Sequence, residues 1–167
     1  MSSAARVFVG LGSNMGDSIA HLRGAIEQLS KVATSPITVS RFYGSRPWGD
    51  TNQSDFVNAV ISFDTHLCAL ELLNQLLGIE NLHGRDRASS RRNGPRTLDL
   101  DLLLYANDRV DVPGLHLPHP HIAERAFVVL PLLEIAPELE IPGLGPISSL
   151  MQADFASLCW PLDSIRP

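Results

Sequence analysis

The sequence predicts an α+β fold: a ferredoxin-like layer, in which a mostly antiparallel sheet has helices packed on one face and long loops suited to an active site. Two observations predict it. Extended and helical segments follow one another as strand, helix, strand, strand, helix, strand, the order of such a layer. The 167 residues are 44% hydrophobic and 19% charged, enough to bury one core, and no linker, repeat or low-complexity tract divides them. Residues 1–167 therefore read as a single domain.

ARVFVGLGSN reads as a strand leaving through a Gly-Ser-Asn turn, after which Asp17 or Ser18 can cap a helix with Ile19, Leu22, Ile26 and Leu29 at helical spacing. Residues 37–46 look extended, and DFVNAVISFDT alternates as a strand, so the two suggest an antiparallel pair joined by a long loop. ALELLNQLLGIENLHG predicts a second helix with Leu70, Leu73, Leu77 and Glu80 along one side and Gly84 as its stop. DRASSRRNGP has no periodicity, TLDLDLLLY is a strand, and RVDVPGLHLPHPHIAER is irregular, with three prolines. AFVVLPLLEIAP resumes a helical pattern with Pro131 inside it, and the tail is a Pro/Gly loop followed by a short helix.

The strand in RRNGPRTLDLDLLLYA holds the chemistry. Leu98, Leu100, Leu102 and Leu104 would share one face, and Asp99 and Asp101 the other, about 6.6 Å apart at roughly 3.3 Å per residue. Two ionised carboxylates so placed repel, more strongly as water is excluded, and a divalent cation reverses that sign. Oxygen-only ligands suit Mg²⁺, and two carboxylates can hold a pair of ions against a phosphoryl group. Arg85, Arg87, Arg91, Arg92 and Arg96 lie just upstream, and arginine forks bind phosphate oxygens bidentately. Carboxylates and arginines together point to nucleotide phosphates, while the absence of GxxxxGK[ST] excludes a P-loop kinase.

Six stretches carry a resemblance: GLGSNMGD, FYGSRPWG, DFVNAV, IENLHGRDR, NGPRTLDLDLLLY and LPHPHIAERAFVVLPLLEIAP. In content and order the chain resembles the 6-hydroxymethyl-7,8-dihydropterin pyrophosphokinases of folate biosynthesis. That resemblance implies transfer of the β,γ-pyrophosphate of ATP to the hydroxymethyl group of the reduced pterin, with release of AMP. It implies that Asp99 and Asp101 hold two Mg²⁺ ions, that Arg85 and Arg96 at the ends of a mobile loop close over the triphosphate, and that Glu80, Arg87, His119 and Arg125 contact the ATP. Phe56 and Phe127 would sandwich the pterin, Asn58 would read its edge, and the loop of Ser45 and Trp48 would add hydrogen bonds. Catalysis would then rest on positioning and electrostatics, with no strong general base evident. Phe56 lacks the hydroxyl of a tyrosine often found there, Ala88 and Asn93 replace a lysine and a tryptophan of some relatives, and the loop from 85 to 96 is one residue longer.

Other readings are weaker. A different Mg²⁺-dependent nucleotide enzyme would keep the aspartates and arginines without needing a pterin slot. An RNA-binding layer would want a basic surface, whereas the net charge is −5. His116, His119 and His121 invite a zinc reading, but no cysteine is near them, and a nucleotide contact from His119 is favoured. Cys68 and Cys159 have no metal or disulfide spacing and read as two half-buried thiols, and no stretch is long enough for a signal peptide or membrane span. The expectation is a cytoplasmic monomer that binds neither nucleic acid nor membrane.

Overall fold

In the computed structural model, which describes residues 3–47, 49–85 and 94–165, the chain opens with β1 (Ala5–Ser13). Asp17 then caps α1 (Ser18–Ser30), its Oδ1 accepting the Ala20 N–H at 3.1 Å. The extended run expected over 37–46 is split into β2 (Thr38–Val39) and β3 (Tyr43–Ser45). The break falls at Ser40, where Oγ rather than a main-chain carbonyl accepts the Val60 N–H at 3.0 Å. Next, β4 (Phe56–Thr65) runs antiparallel to β1 from Ala5↔Thr65 to Ser13↔Val57 and pairs with β2 and β3, as expected. After it, α2 (Ala69–Leu82) stops at Gly84, whose φ of +79° favours glycine.

The edge strand β5 (Asp99–Tyr105) pairs with β1, and a hairpin of β6 (Val110–Val112) and β7 (Leu115–Leu117) follows. Then come α3 (Ala126–Ile135), a small β8 (Glu140–Ile141) and β9 (Gly145–Pro146) pair, and α4 (Phe155–Leu158). The last strand, β10 (Cys159–Pro161), lies in a tail expected to hold only a loop and a helix. Strand order in the main sheet is β10-β3-β4-β1-β5, and every described pairing is antiparallel.

The helices do not stay on one face. Leu22, Ala25 and Leu29 of α1 and Leu72, Leu76 and Ile79 of α2 pack on the face formed by Val7, Val9, Ile61, Leu98, Leu100 and Leu102. That corrects the side of α2 that is buried: Leu70 is exposed, because ALELLNQLLGI has leucines at helical spacing on two sides and only the sheet decides between them. The opposite face, expected to be open, is half covered by α3 and α4, with Phe8, Val60, Leu103 and Leu104 beneath Val128, Val129, Leu132 and Phe155.

Leu104 was expected beside Leu98, Leu100 and Leu102. A β-bulge explains its crossing: β1 pairs Phe8 with Leu104 but Val9 with Leu102, so Leu103 is the extra residue and the faces exchange beyond it. Both Leu103 and Leu104 thus meet α3's core. Leu103 is fully buried, and Leu103→Ala is expected to cost about 2–5 kcal/mol in urea unfolding. A loss below about 1 kcal/mol would show that the bulge is not packed as described.

Candidate active site

Beyond the reach of α3, the same face of the sheet carries a cleft. Its floor follows from the register. Gly12 pairs with Asn58 on one side and Asp99 on the other, and Gly10 pairs with Val60 and Asp101. The central strand therefore contributes no side chain between β4 and β5, leaving a trough with amide and apolar groups on one bank and carboxylates on the other. A Cβ at Gly12 would lie 3.3 Å from Asn58 Oδ1 and 3.8 Å from Phe56 Cδ1, so the trough admits a ligand close to the backbone. Ser45, Arg46, Phe56, Asn58, Arg96, Asp99, Asp101, Arg125 and Phe127 line it.

The carboxylate bank is held by arginines. Asp99 accepts from Arg85 Nη1 on Oδ1 and from Arg96 Nη1 at 3.0 Å on Oδ2. Asp101 Oδ2 accepts from Arg125 Nη1 at 3.4 Å. Glu80 Oε2 accepts from Arg85 Nη1 at 2.6 Å and from the Leu100 N–H at 2.9 Å, so it holds both Arg85 and the free edge of β5. Burial, reinforced by Asp99, pushes the Asp101 carboxyl up to about 7, against the pull of Arg125. Burial, then Arg125, pushes His119 down to about 4, leaving it neutral. Its Nδ1 accepts the His121 N–H at 3.1 Å, which places the ring proton on Nε2.

The opposite bank is organised around Asn58, whose Nδ2 donates to Ser45 Oγ at 2.7 Å and to the Tyr43 carbonyl at 3.3 Å. Its Oδ1 faces the trough beside Gly12. Phe56 starts β4 and Phe127 lies in the first turn of α3, so a flat ring in the cleft would meet an aromatic from each side of the site.

The structure thus brings together Ser45, Phe56, Asn58, Arg96, Asp99, Asp101, Arg125 and Phe127, with Arg85 and Glu80 bonded behind the carboxylates. Glu80 is buried and does not line the cleft. Trp48 and Arg87 lie outside the described residues, as do Ala88 and Asn93. His116 pairs with Asp111 at 2.7 Å and His121 with Glu124 at 3.0 Å, the His121 ring lying 5.9 Å from that of His119.

Two residues escaped the sequence reading. Arg46 lines the cleft. Asn14 brackets Arg96, its Oδ1 accepting the Arg96 N–H at 2.8 Å and its own N–H donating to the Arg96 carbonyl at 3.0 Å, while Nδ2 reaches Gln53 and Ser54. The signal for Asn14 was its place in a turn directly after a strand, where an amide can bridge chain segments.

Comparison with known proteins agrees with this geometry. Residues 8–137 match the sequence profile of the family 7,8-dihydro-6-hydroxymethylpterin-pyrophosphokinase (HPPK). The chain belongs to the HPPK family. It is 48% identical over 152 residues to the 2-amino-4-hydroxy-6-hydroxymethyldihydropteridine pyrophosphokinase of Methylorubrum extorquens, covering 89% of this chain and 94% of that one. The protein of the same name from Haemophilus influenzae is 42% identical over 146 residues, covering 87% and 90%. A Plasmodium falciparum HPPK-DHPS crystal structure with pterin and p-hydroxybenzoate matches at a TM-score of 0.70 and 14% identity, covering 94% of this chain and 44% of that one. That likeness speaks to the fold alone, and the chain spans less than half the length of that protein. The HPPK reaction is pyrophosphoryl transfer from ATP to the hydroxymethyl group of 6-hydroxymethyl-7,8-dihydropterin in folate biosynthesis, and it is the reaction of this chain.

The donor set fits a hard divalent cation. Asp99 and Asp101 offer oxygens alone and open onto a cleft where water and phosphate oxygens can complete a shell, which is how Mg²⁺ is usually bound. Without such an ion, folding at high pH forces an ionised Asp101 beside Asp99. Below about 7 the folded chain keeps a proton there that the unfolded chain, near its ordinary 3.8, has released. Stability of the metal-free protein should therefore fall as pH rises from about 4 to about 7 and level off above it. Asp101→Asn should unfold at a higher Tm than the parent at pH 8 with chelator, with the gap narrowing steadily below pH 7 and closing only below about pH 4. Equal Tm values at pH 8 would contradict the strained pair.

Proposed function

We propose that residues 1–167 form one catalytic domain, acting as a cytoplasmic monomer, in which the cleft holds ATP on its carboxylate bank and the dihydropterin on its aromatic bank. The observation that carries this reading is the shared cleft, in which Asp99 and Asp101 stand across a glycine floor from Asn58, between Phe56 and Phe127. The reduced thiols suit the proposed location. Cys68 and Cys159 are both unpaired, one exposed and one buried, and among the described residues no helix is long and apolar enough to cross a membrane.

Asp99 and Asp101 would hold two Mg²⁺ ions, which when bound offset triphosphate charge and polarise the phosphoryl oxygens. The remaining work falls to the chain. Arg85 and Arg96, which neutralise Asp99 in the free protein, transfer their forks to phosphate oxygens as the nucleotide enters. Asn14 keeps the Arg96 backbone in place during that exchange, and Glu80 keeps Arg85 at the site. Arg125 and the neutral His119, a donor through Nε2, contact the phosphates from the α3 side, and Arg87 completes the grip. Phe56 and Phe127 stack on the pterin, Asn58 and Ser45 bond its edge with the loop of Trp48, and its hydroxymethyl group is directed toward the transferred phosphoryl. Such positioning in a preorganised charged site is the main source of rate in phosphoryl transfer.

The direct test is AMP release from ATP and Mg²⁺ with and without 6-hydroxymethyl-7,8-dihydropterin, and release should require the pterin. Asp99→Ala and Asp101→Ala should abolish turnover while far-UV circular dichroism is unchanged, and near-parental activity in either would remove the metal role. Arg96→Ala should lower kcat by about 10²–10³-fold with little change in pterin Kd, because it acts on charge in transit. A collapse of pterin binding at constant kcat would instead make Arg96 a substrate-binding residue.

A further inference from the structure

The ten residues of α3, AFVVLPLLEI, contain one polar side chain, Glu134. Apolar packing is non-directional and leaves a helix free to slide or turn on a sheet, so the single carboxylate provides what the other nine side chains cannot: a fixed register. We propose that Glu134 is a positioning residue for the pterin, tying α3 to β3 so that the two aromatic walls of the slot stand at a set separation. This rests on the reading that Phe56, Asn58 and Phe127 form the pterin slot.

The bonds converge on Glu134 from one short segment. Oε1 accepts from the Tyr43 hydroxyl at 2.6 Å and from Arg41 Nε at 2.9 Å, and Oε2 accepts the Arg41 backbone N–H at 2.7 Å. Burial would raise the Glu134 carboxyl, but the Tyr43 and Arg41 bonds outweigh it and hold the group below the usual carboxylate range, so it is ionised at neutral pH. Arg41 also reaches Asp163 Oδ1 at 3.0 Å, adding the C-terminal segment to the anchor.

Tyr43 carries the link to the slot. It is buried, and while its hydroxyl bonds Glu134, its carbonyl accepts from Asn58 Nδ2, and Asn58 also donates to Ser45 two residues on. One residue thus faces the helix anchor with its side chain and the pterin-reading amide with its backbone. At the other end of α3, about 15 Å long at 1.5 Å per residue, stand Arg125 and Phe127. Pro131 has no N–H to offer the Phe127 carbonyl, so the first turn depends more on where the helix body is anchored.

The test is a pair of titrations on the full chain: Kd for 6-hydroxymethylpterin in the presence of Mg²⁺ and α,β-methylene-ATP, and Kd for the Mg²⁺–nucleotide analogue alone. Glu134→Ala should raise the pterin Kd tenfold or more and the nucleotide Kd several-fold less, since α3 touches the nucleotide only through Arg125. Tyr43→Phe should raise the pterin Kd a few-fold and add nothing to Glu134→Ala in the double variant. Glu134→Gln, which keeps an oxygen acceptor, should recover part of the loss. A lower Tm with pterin Kd unchanged, or equal weakening of both ligands, overturns the proposal. If Glu134→Ala does not fold, Tyr43→Phe decides it, because it leaves the Arg41–Glu134 pair in place. A parent protein that binds no pterin overturns the assignment of the slot, whereas a parent that binds and variants that bind as tightly overturn only the role of Glu134.

Discussion

Two carboxylates on neighbouring same-face positions of an edge strand are an electrostatic liability, and much of this structure is arranged around it. Asp99 is neutralised by Arg85 and Arg96, Asp101 by Arg125, and Glu80 braces Arg85 while bonding the Leu100 N–H at the strand's open edge. Even so, burial and proximity keep Asp101 titrating near 7. In the proposed reading such a pair is what lets a cation and a polyphosphate bind together, with guanidinium groups already at hand to exchange partners.

The rest of the fold opens a cleft beside that pair. Gly10 and Gly12 clear the trough between β4 and β5, and α3 covers the sheet only as far as Phe127, so the face above the glycines is open to ligand. Helices on both faces reconcile two demands. The α1 and α2 side buries Val7, Val9, Ile61 and Leu100 and makes the sheet rigid, while the α3 side gives one half to core and the other half to the site.

The period-two pattern of TLDLDLLLY revealed the aspartates' shared face because alternation on a pleated strand is enforced by geometry. The same rule misplaced Leu104, since a bulge depends on pairing with β1 and leaves no mark in a run of leucines. In α2, leucines at helical spacing on two sides made the buried face ambiguous. In the tail, CWP is too short to be read as a strand until β3 is there to pair with it. The charged and aromatic residues that line the cleft could be singled out by type and motif. Asn14 and Arg46 were not, because their roles follow from chain segments that meet only in the fold. Glu80 was read as lining the nucleotide site, and it stands one layer behind, against Arg85 and the β5 backbone.

The most direct test of this account is a crystal structure of the protein with Mg²⁺ and α,β-methylene-ATP. The account predicts that Asp99 and Asp101 both coordinate cation, that those cations share phosphate oxygens, and that Arg85 and Arg96 have left Asp99 for the triphosphate. A nucleotide bound with Asp99 still paired to both arginines, and no cation within coordinating distance of either aspartate, would contradict it.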